Sequence, residues 1–456
     1  MARDQSDPTP IEDRAELVAW FEKGLKPASE FRLGTEHEKF GFYTHDHAPV
    51  PFAGPRGIRA ILEGLQTRIG WEAIMDGEAI IGLSDPMGGG AISLEPGGQF
   101  ELSGAPVETL HETRSELAQH MDAVNSVAAP LGIGFLGLGH SPTWTRAETP
   151  VMPKQRYAIM ANYMPKVGSR GLDMMFRTCT VQVNLDFATE ADMVKKLRVS
   201  LALQPVATAL FANSPFTEGK PNGFKSIRSE IWRDTDNNRS GMIPFAFESG
   251  MGFERYVDYA LDVPMYFVKR GDTYHDVAGA SFRDLLRGKL PQLPGERATI
   301  SDWANHLSTL FPEVRLKRYL EMRGADMGLS DMVVGLPAFW TGLLYDQGVL
   351  DEAWELVKDW TDAERQQLRD AAPRLALAAP FRGGSVHDIA REAVALSRKG
   401  LARRARLDAA GQDETIHVAA LEEIVATGRT RADDLLALYE TAWDRSVDPV
   451  FAANLL

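Results

Sequence analysis

Two glutamates, Glu36 and Glu38, flank His37 in a stretch that alternates in the manner of a β-strand. Successive side chains of a strand point to opposite faces, so both carboxylates fall on one side and His37 on the other. Two like charges held that close cost free energy unless a cation stands between them. A strand that turns two acids to water has the same pattern, so this motif alone leaves both readings open. A second group follows at Glu95, Gln99 and Glu101, where Gly97 and Gly98 turn the chain between two short strands. It offers three oxygen ligands, or the polar outer positions of a hairpin. A third lies at Glu321 and Arg323, on one strand face with Tyr319. It is either a plain ion pair or a metal ligand beside the group that steadies a phosphate.

Taken together, five glutamates from three strand segments and one arginine form a ligand set for a hard cation. Mg²⁺ takes oxygen ligands and shares them with substrate phosphates. No cluster of His or pair of Cys competes for zinc or iron. A Gly-x-x-x-x-Gly-Lys-Ser/Thr loop and a Gly-x-Ser-x-Gly elbow are both absent. If a nucleotide binds, metals and arginines must hold its phosphates. Arg156, beside Tyr157, and Arg228, near Trp232, stand at a loop or helix start. There a planar fork clamps a carboxylate, or makes a surface salt bridge.

The elements that must position these groups are legible from periodicity. Residues 31–42, 71–84, 91–95, 99–103, 132–138, 174–187, 264–269 and 315–323 read as strands. Residues 11–25, 56–69, 106–129 and 191–211 read as helices. From about residue 330 nearly everything does, at 331–346, 350–358, 361–371, 386–408, 415–426 and 430–443. The expectation is an α+β chain: residues 1–10 a loose tail, and residues 11–456 one catalytic domain whose 330–456 part is mainly helical.

Composition narrows the function. The chain has 456 residues, with 44% hydrophobic and 25% charged side chains, ordinary for a folded protein. A net charge of −14 repels nucleic-acid phosphates, so no nucleic-acid partner is expected. The basic run at residues 398–406 reads as a solvated helix face. No stretch is long and apolar enough to span a membrane, and the N-terminus has no apolar leader. Cys179 is the only cysteine, which excludes an internal disulfide. These features lead to the expectation of a cytoplasmic protein.

Five motifs carry a resemblance. They are GTEHEKFGF at 34–42, LEPGGQFELSG at 94–104, MMFRTCTVQVNLD at 174–186, FANSPFTEGKPNG at 211–223 and FPEVRLKRYLEMRGAD at 311–326. In this order they resemble glutamate–cysteine ligase of the plant and alphaproteobacterial type, from about residue 10 to the C-terminus. The resemblance implies a glutamine-synthetase-like fold: an antiparallel sheet funnel, surrounding helices and a helical C-terminal part. It implies metal ligands at Glu36, Glu38, Glu95, Glu101 and Glu321, with Gln99 beside the nucleotide. Arg323 would steady the transferring phosphate. Arg156 and Arg228 would hold the substrate glutamate, with Tyr163 and Trp232 lining its pocket.

The implied reaction uses ATP and Mg²⁺ to join the γ-carboxylate of glutamate to the amine of cysteine, giving γ-glutamylcysteine. Glutathione is the expected feedback inhibitor. Competing readings are a γ-glutamyl ligase for another amine, a phosphagen-type kinase and a non-catalytic regulator. The regulator predicts a broken ligand set, whereas all five glutamates and Arg323 are present. Plant members of the family are switched by disulfides between cysteine pairs, a device one cysteine cannot supply.

Overall fold

Alternating apolar and polar residues build nine strands into one antiparallel sheet. The computed structural model describes residues 7–456. The strands are β1 (Leu33–Tyr43), β2 (Glu72–Asp76), β3 (Ala79–Ser84), β4 (Ala91–Leu94), β5 (Phe100–Ser103), β6 (Ile133–Leu136), β7 (Thr180–Leu185), β8 (Val314–Leu316) and β9 (Leu320–Asp326). Their order is β8-β9-β7-β1-β5-β4-β3-β2, and β6 pairs with the far end of β1. The long β1 is the hub: Glu36 to Lys39 register with β5, Leu33 to His37 with β7, and Phe40 to Tyr43 with β6.

Helices cover the sheet. The Glu190–Leu210 helix is buried almost throughout, and its Met193, Leu197, Leu201 and Leu210 join Val181, Val183 and Leu185 of β7 in the main core. Burying each such aliphatic side chain contributes about 1.5–3 kcal/mol relative to exposure. The Ser330–Leu344 helix, buried along nearly its whole length, packs on the Val386–Arg404 helix. A smaller core joins the Ile58–Ile69 and Leu110–Ala128 helices to β3, β4 and β5. Two helix starts follow from sequence chemistry: Thr109 and Glu112 form a capping box, as do Thr361 and Glu364.

The α+β architecture and the helical C-terminal part agree with the sequence pattern, with four local differences, the first being that residues 71–84 are β2, a turn and β3. Residues 174–177 belong to the Gly171–Arg177 helix and not to a strand. Met174 and Met175 are buried there with Tyr157 and Ile231, so tertiary packing overrides the apparent alternation. Residues 315–323 are not one strand but β8, a turn and β9. Tyr319 therefore sits in the turn and does not share a strand face with Glu321. Of the expected loose tail, residues 1–6 lie outside the described residues, whereas residues 7–10 are held. Asp7 and Thr9 accept backbone N–H groups of Ser301 and Ile300.

One half-buried acid gives the fold a pH signature. Burial raises the Glu116 carboxyl to about 7 from an ordinary 4.5; the Ala105 N–H opposes this and Asp85 adds to it. A carboxyl that binds its proton more tightly when folded stabilises the fold fully below its unfolded value. That contribution is lost as pH rises through about 7. Glu116→Gln is expected to flatten the fall in stability between pH 4.5 and 7. Urea unfolding of both proteins at pH 5 and pH 8 checks this, and parallel pH slopes would refute it.

Candidate active site

The sheet register gathers the candidate acids on one face. Glu38 of β1 stands directly opposite Glu101 of β5, and Glu101 opposite Ser93 of β4. Glu36 faces Gln182 of β7, and Glu321 of β9 faces Asn184. Glu95 leaves the end of β4 at the Gly97-Gly98 turn. Gly98 has φ +83°, and a Cβ on Gly97 would lie 2.3 Å from the Phe176 carbonyl oxygen, so the close approach needs glycine. His37 and Lys39, on the other face of β1, are buried in the core.

Three of the four carboxylates are oriented by a donor. Asn184 donates to Glu36 at 2.8 Å, and the Thr180 N–H donates to Glu38 at 2.9 Å. The Ser93 and Ser103 hydroxyls donate to Glu101. The Tyr157 hydroxyl lies 3.4 Å from Glu95 and gives its shorter bond, 2.6 Å, to the Leu94 carbonyl. Glu36, Glu38, Glu95 and Glu101 line one cavity with Arg156, Gln182, Phe311, Arg315 and Arg323. Burial, then Glu95 and Glu101, hold the Glu38 carboxyl well above its ordinary value. That is like-charge crowding.

Two further cavities adjoin it. One shares Arg323 and Phe311 and is lined by Arg228, Trp232, Ser240 and Glu313. The Arg228 Nε and the Trp232 indole N–H are buried there without partners. The other, of about 560 Å³, shares Glu36 and is lined by Lys26, Arg32, Asp85, Asn184 and Tyr319. The arginines paired by sequence are thus divided: Arg156 opens into the carboxylate cavity and Arg228 into its neighbour.

Three expected site residues stand elsewhere. Glu321 is fully buried, and both its oxygens are taken. Arg315 reaches Oε2 at 2.7 Å through Nε and Oε1 at 2.9 Å through Nη2. Lys317 donates to Oε1 at 2.9 Å and Arg323 to Oε2 at 2.6 Å. Burial alone would raise its pKa, but these three cations hold it well below the usual range. Gln99 spends its amide on backbone, accepting from Gly97 N–H and donating to the Met175 and Thr178 carbonyls. These bonds fix the turn. Tyr163 packs edge-on against Tyr266, 5.6 Å between ring centres, and lines neither the carboxylate cavity nor the Arg228 pocket. Sequence reasoning passed over Arg315, Lys317, Gln182 and Asn184. The run of cations at 315–323 was a signal for the first two, since a buried glutamate needs counter-charge.

Cys179 is fully buried, and burial pushes its thiol well above the ordinary range. An inaccessible, protonated thiol is a poor nucleophile. Treatment with oxidant or dithiothreitol is expected to leave activity within about twofold, since only the thiolate reacts appreciably. A large reversible gain on oxidation, accompanied by a reducible dimer, would refute this.

A sheet face that sets carboxylates beside arginines is the layout of an α+β enzyme that gathers several charged substrates. Residues 32–453 match the model of glutamate-cysteine ligase family 2 (GCS2). The chain is 56% identical over 438 residues to glutamate–cysteine ligase B, chloroplastic, of Oryza sativa subsp. japonica, covering 96% of this chain and 86% of that one. It is 55% identical over 438 residues to the chloroplastic glutamate–cysteine ligase of Arabidopsis thaliana, covering 96% and 82%. The solved glutamate–cysteine ligase of Francisella tularensis in complex with AMP superposes with a TM-score of 0.54 at 11% identity, over 90% of this chain and 85% of that one, a likeness of fold. The chain belongs to glutamate–cysteine ligase family 2. These relatives are named chloroplastic, which overturns the expected cytoplasmic location. The absence of an apolar leader could not decide it, because plastid transit segments are amphipathic and not apolar. Among the described residues no helix is long and apolar enough to cross a membrane.

Proposed function

We propose that this chain is the ATP-dependent ligase that joins glutamate to cysteine in the first step of glutathione synthesis. Family membership over nearly the whole chain supports the reaction. The observation that carries the division of labour is the pair of cavities meeting at Arg323, one acidic and one holding unpartnered donors.

A carboxylate is a poor electrophile toward an amine, because it is anionic and would have to expel hydroxide. Transfer of the γ-phosphoryl group of ATP to the γ-carboxylate makes an acyl phosphate and releases ADP. The cysteine amine then attacks the acyl carbon, loses a proton and expels phosphate. In this reading Arg228 and Trp232 offer their free N–H groups to the glutamate, and Arg156 meets the substrates from the acidic side. Arg323, between the cavities, steadies the charge on the transferring phosphoryl group. Glu321 acts through Arg323, which it anchors.

The donor chemistry suits Mg²⁺, since Glu36, Glu38, Glu95 and Glu101 supply only oxygen and a hard cation would relieve the repulsion at Glu38, although as the side chains stand no three such acids among the described residues are placed to hold a cation. Mg²⁺ held there would neutralise phosphate charge. The 560 Å³ cavity beside Glu36, with Lys26 and Arg32, is of a size to take the nucleotide. Glutathione carries the same γ-glutamyl group, and in this reading it competes for the Arg228 pocket.

An ADP-release assay comparing cysteine with other amino acids tests the reading; equal rates with unrelated amines would overturn the choice of cysteine. Arg228→Lys keeps the charge and loses the planar fork. Its KM for glutamate is expected to rise on the order of tenfold or more, the loss of one charge-assisted hydrogen bond, with little change in KM for ATP. An unchanged glutamate KM would move the clamp elsewhere.

A further inference from the structure

Asp326 ends β9, three residues beyond Arg323, and is 1% exposed. Its carboxylate accepts three hydrogen bonds. The Asn213 N–H at 2.9 Å and the Ser214 hydroxyl at 2.6 Å reach Oδ2, and the Ser226 hydroxyl at 2.7 Å reaches Oδ1. A serine hydroxyl has one proton to give and lone pairs to receive with. With both protons committed to Asp326, the two serine oxygens can only accept.

What they accept is the first turn of the Ile227–Ile231 helix. Ser214 Oγ takes the Arg228 N–H at 3.3 Å, and Ser226 Oγ, the N-cap, takes the Ser229 N–H at 3.2 Å. That helix carries Arg228 and delivers Trp232 directly after its last residue. The loop closes through Arg228 itself, whose Nη2 donates at 2.9 Å to the Arg323 carbonyl. Burial weakens the buried Arg228 cation, and Asp326 is the foremost charge that opposes this. Asp326 is packed so closely that a Cβ on Gly139 would come within 2.4 Å of its carboxyl carbon.

We propose that Asp326 is a positioning residue for the glutamate pocket: through Ser214 and Ser226 it locks the helix of Arg228 to the strand of Arg323, and so sets the distance between the two arginines. The proposal rests on the reading of Arg228 as a glutamate-binding residue. The negative charge matters as well as the shape. An amide at this position keeps one acceptor oxygen and presents N–H hydrogens in place of the other, so one of the two serines loses the acceptor that orients its hydroxyl.

The experiment measures glutamate KM, ATP KM and kcat for Ser226→Ala, Ser226→Thr, Asp326→Asn and Arg228→Lys. The expected result is a glutamate KM raised on the order of tenfold in Ser226→Ala and Asp326→Asn, with kcat at saturating glutamate and KM for ATP within about twofold. Ser226→Thr keeps the hydroxyl and is expected to restore the wild-type value. Because Asp326→Asn risks misfolding, the Ser226 pair decides the matter if that protein is insoluble. Wild-type glutamate KM in Ser226→Ala, beside a raised one in Arg228→Lys, would overturn the positioning role and leave the clamp standing. An equal loss in every parameter for Ser226→Ala, unrescued by Thr, would also overturn it, as a general structural defect. An unchanged glutamate KM in Arg228→Lys would remove the clamp and this proposal together.

Discussion

Glu38→Gln is expected to lower turnover on the order of 10²–10³-fold or more, as loss of one preorganised charge-stabilising group does, while the fold survives. Glu38 is the most crowded of the acids, raised by burial and then by Glu95 and Glu101. A neutral amide keeps the oxygen that accepts the Thr180 N–H, so the strand pairing need not change. It also removes a buried charge repelled by two neighbours, so the melting temperature of the ligand-free protein is expected to hold or rise. What is lost is one of the four carboxylates that line the cavity. The measurement is kcat across a Mg²⁺ titration, beside a thermal melt. Near-normal turnover at modest Mg²⁺ would sink the assignment of this carboxylate to the metal.

Glu321→Gln is expected to fail differently. Among the described residues its carboxylate is the only counter-charge in direct contact with Arg315, and it also holds Lys317 and Arg323. Removing one partner of a buried ion group leaves uncompensated charge, a cost on the order of 3–5 kcal/mol. Stability should fall by that amount. Activity should fall with it, because Arg323 loses its charged anchor and keeps the neutral contacts of its guanidinium with Gln182, at 2.7 Å, and with the Phe311 ring. Extra Mg²⁺ should restore nothing. Chemical unfolding and kcat at several Mg²⁺ levels separate the outcomes. Full stability with activity recovered at high Mg²⁺ would return Glu321 to the role of metal ligand that its sequence motif suggests.

The contrast between these two glutamates shows how far sequence reasoning reaches. Spacing of two along β1 correctly put Glu36 and Glu38 on one face, because strand alternation is local geometry that needs no partner. The Gly97-Gly98 turn and the long C-terminal helical run were equally local. The partners of Gln99 and Tyr163 were not legible, because they come from elsewhere in the chain: the Met175 and Thr178 carbonyls for one, Tyr266 for the other. The stretch at 174–177 was misread because buried methionines at strand-like spacing pack equally well on a short helix.

The sequence by itself determined the chemical inventory: acids, arginines and glycines in five ordered motifs, with one cysteine. Composition and local periodicity also determined an acidic α+β chain. Only the tertiary structure decided what surrounds each acid. Cross-strand register set Glu38 against Glu101, whereas the turn between β8 and β9 folded Arg315 and Lys317 back onto Glu321. Burial then converted identical carboxylates into opposites: Glu38 is crowded by like charge and held high, and Glu321 is surrounded by cations and held low. The physical reason is that a charge's energy in a poorly polarisable interior depends on neighbours within a few ångströms. Some of those neighbours are close in the chain, as Arg315 and Lys317 are to Glu321, but others come from strands more than a hundred residues away, as Thr180 does for Glu38 and Gln182 for Arg323.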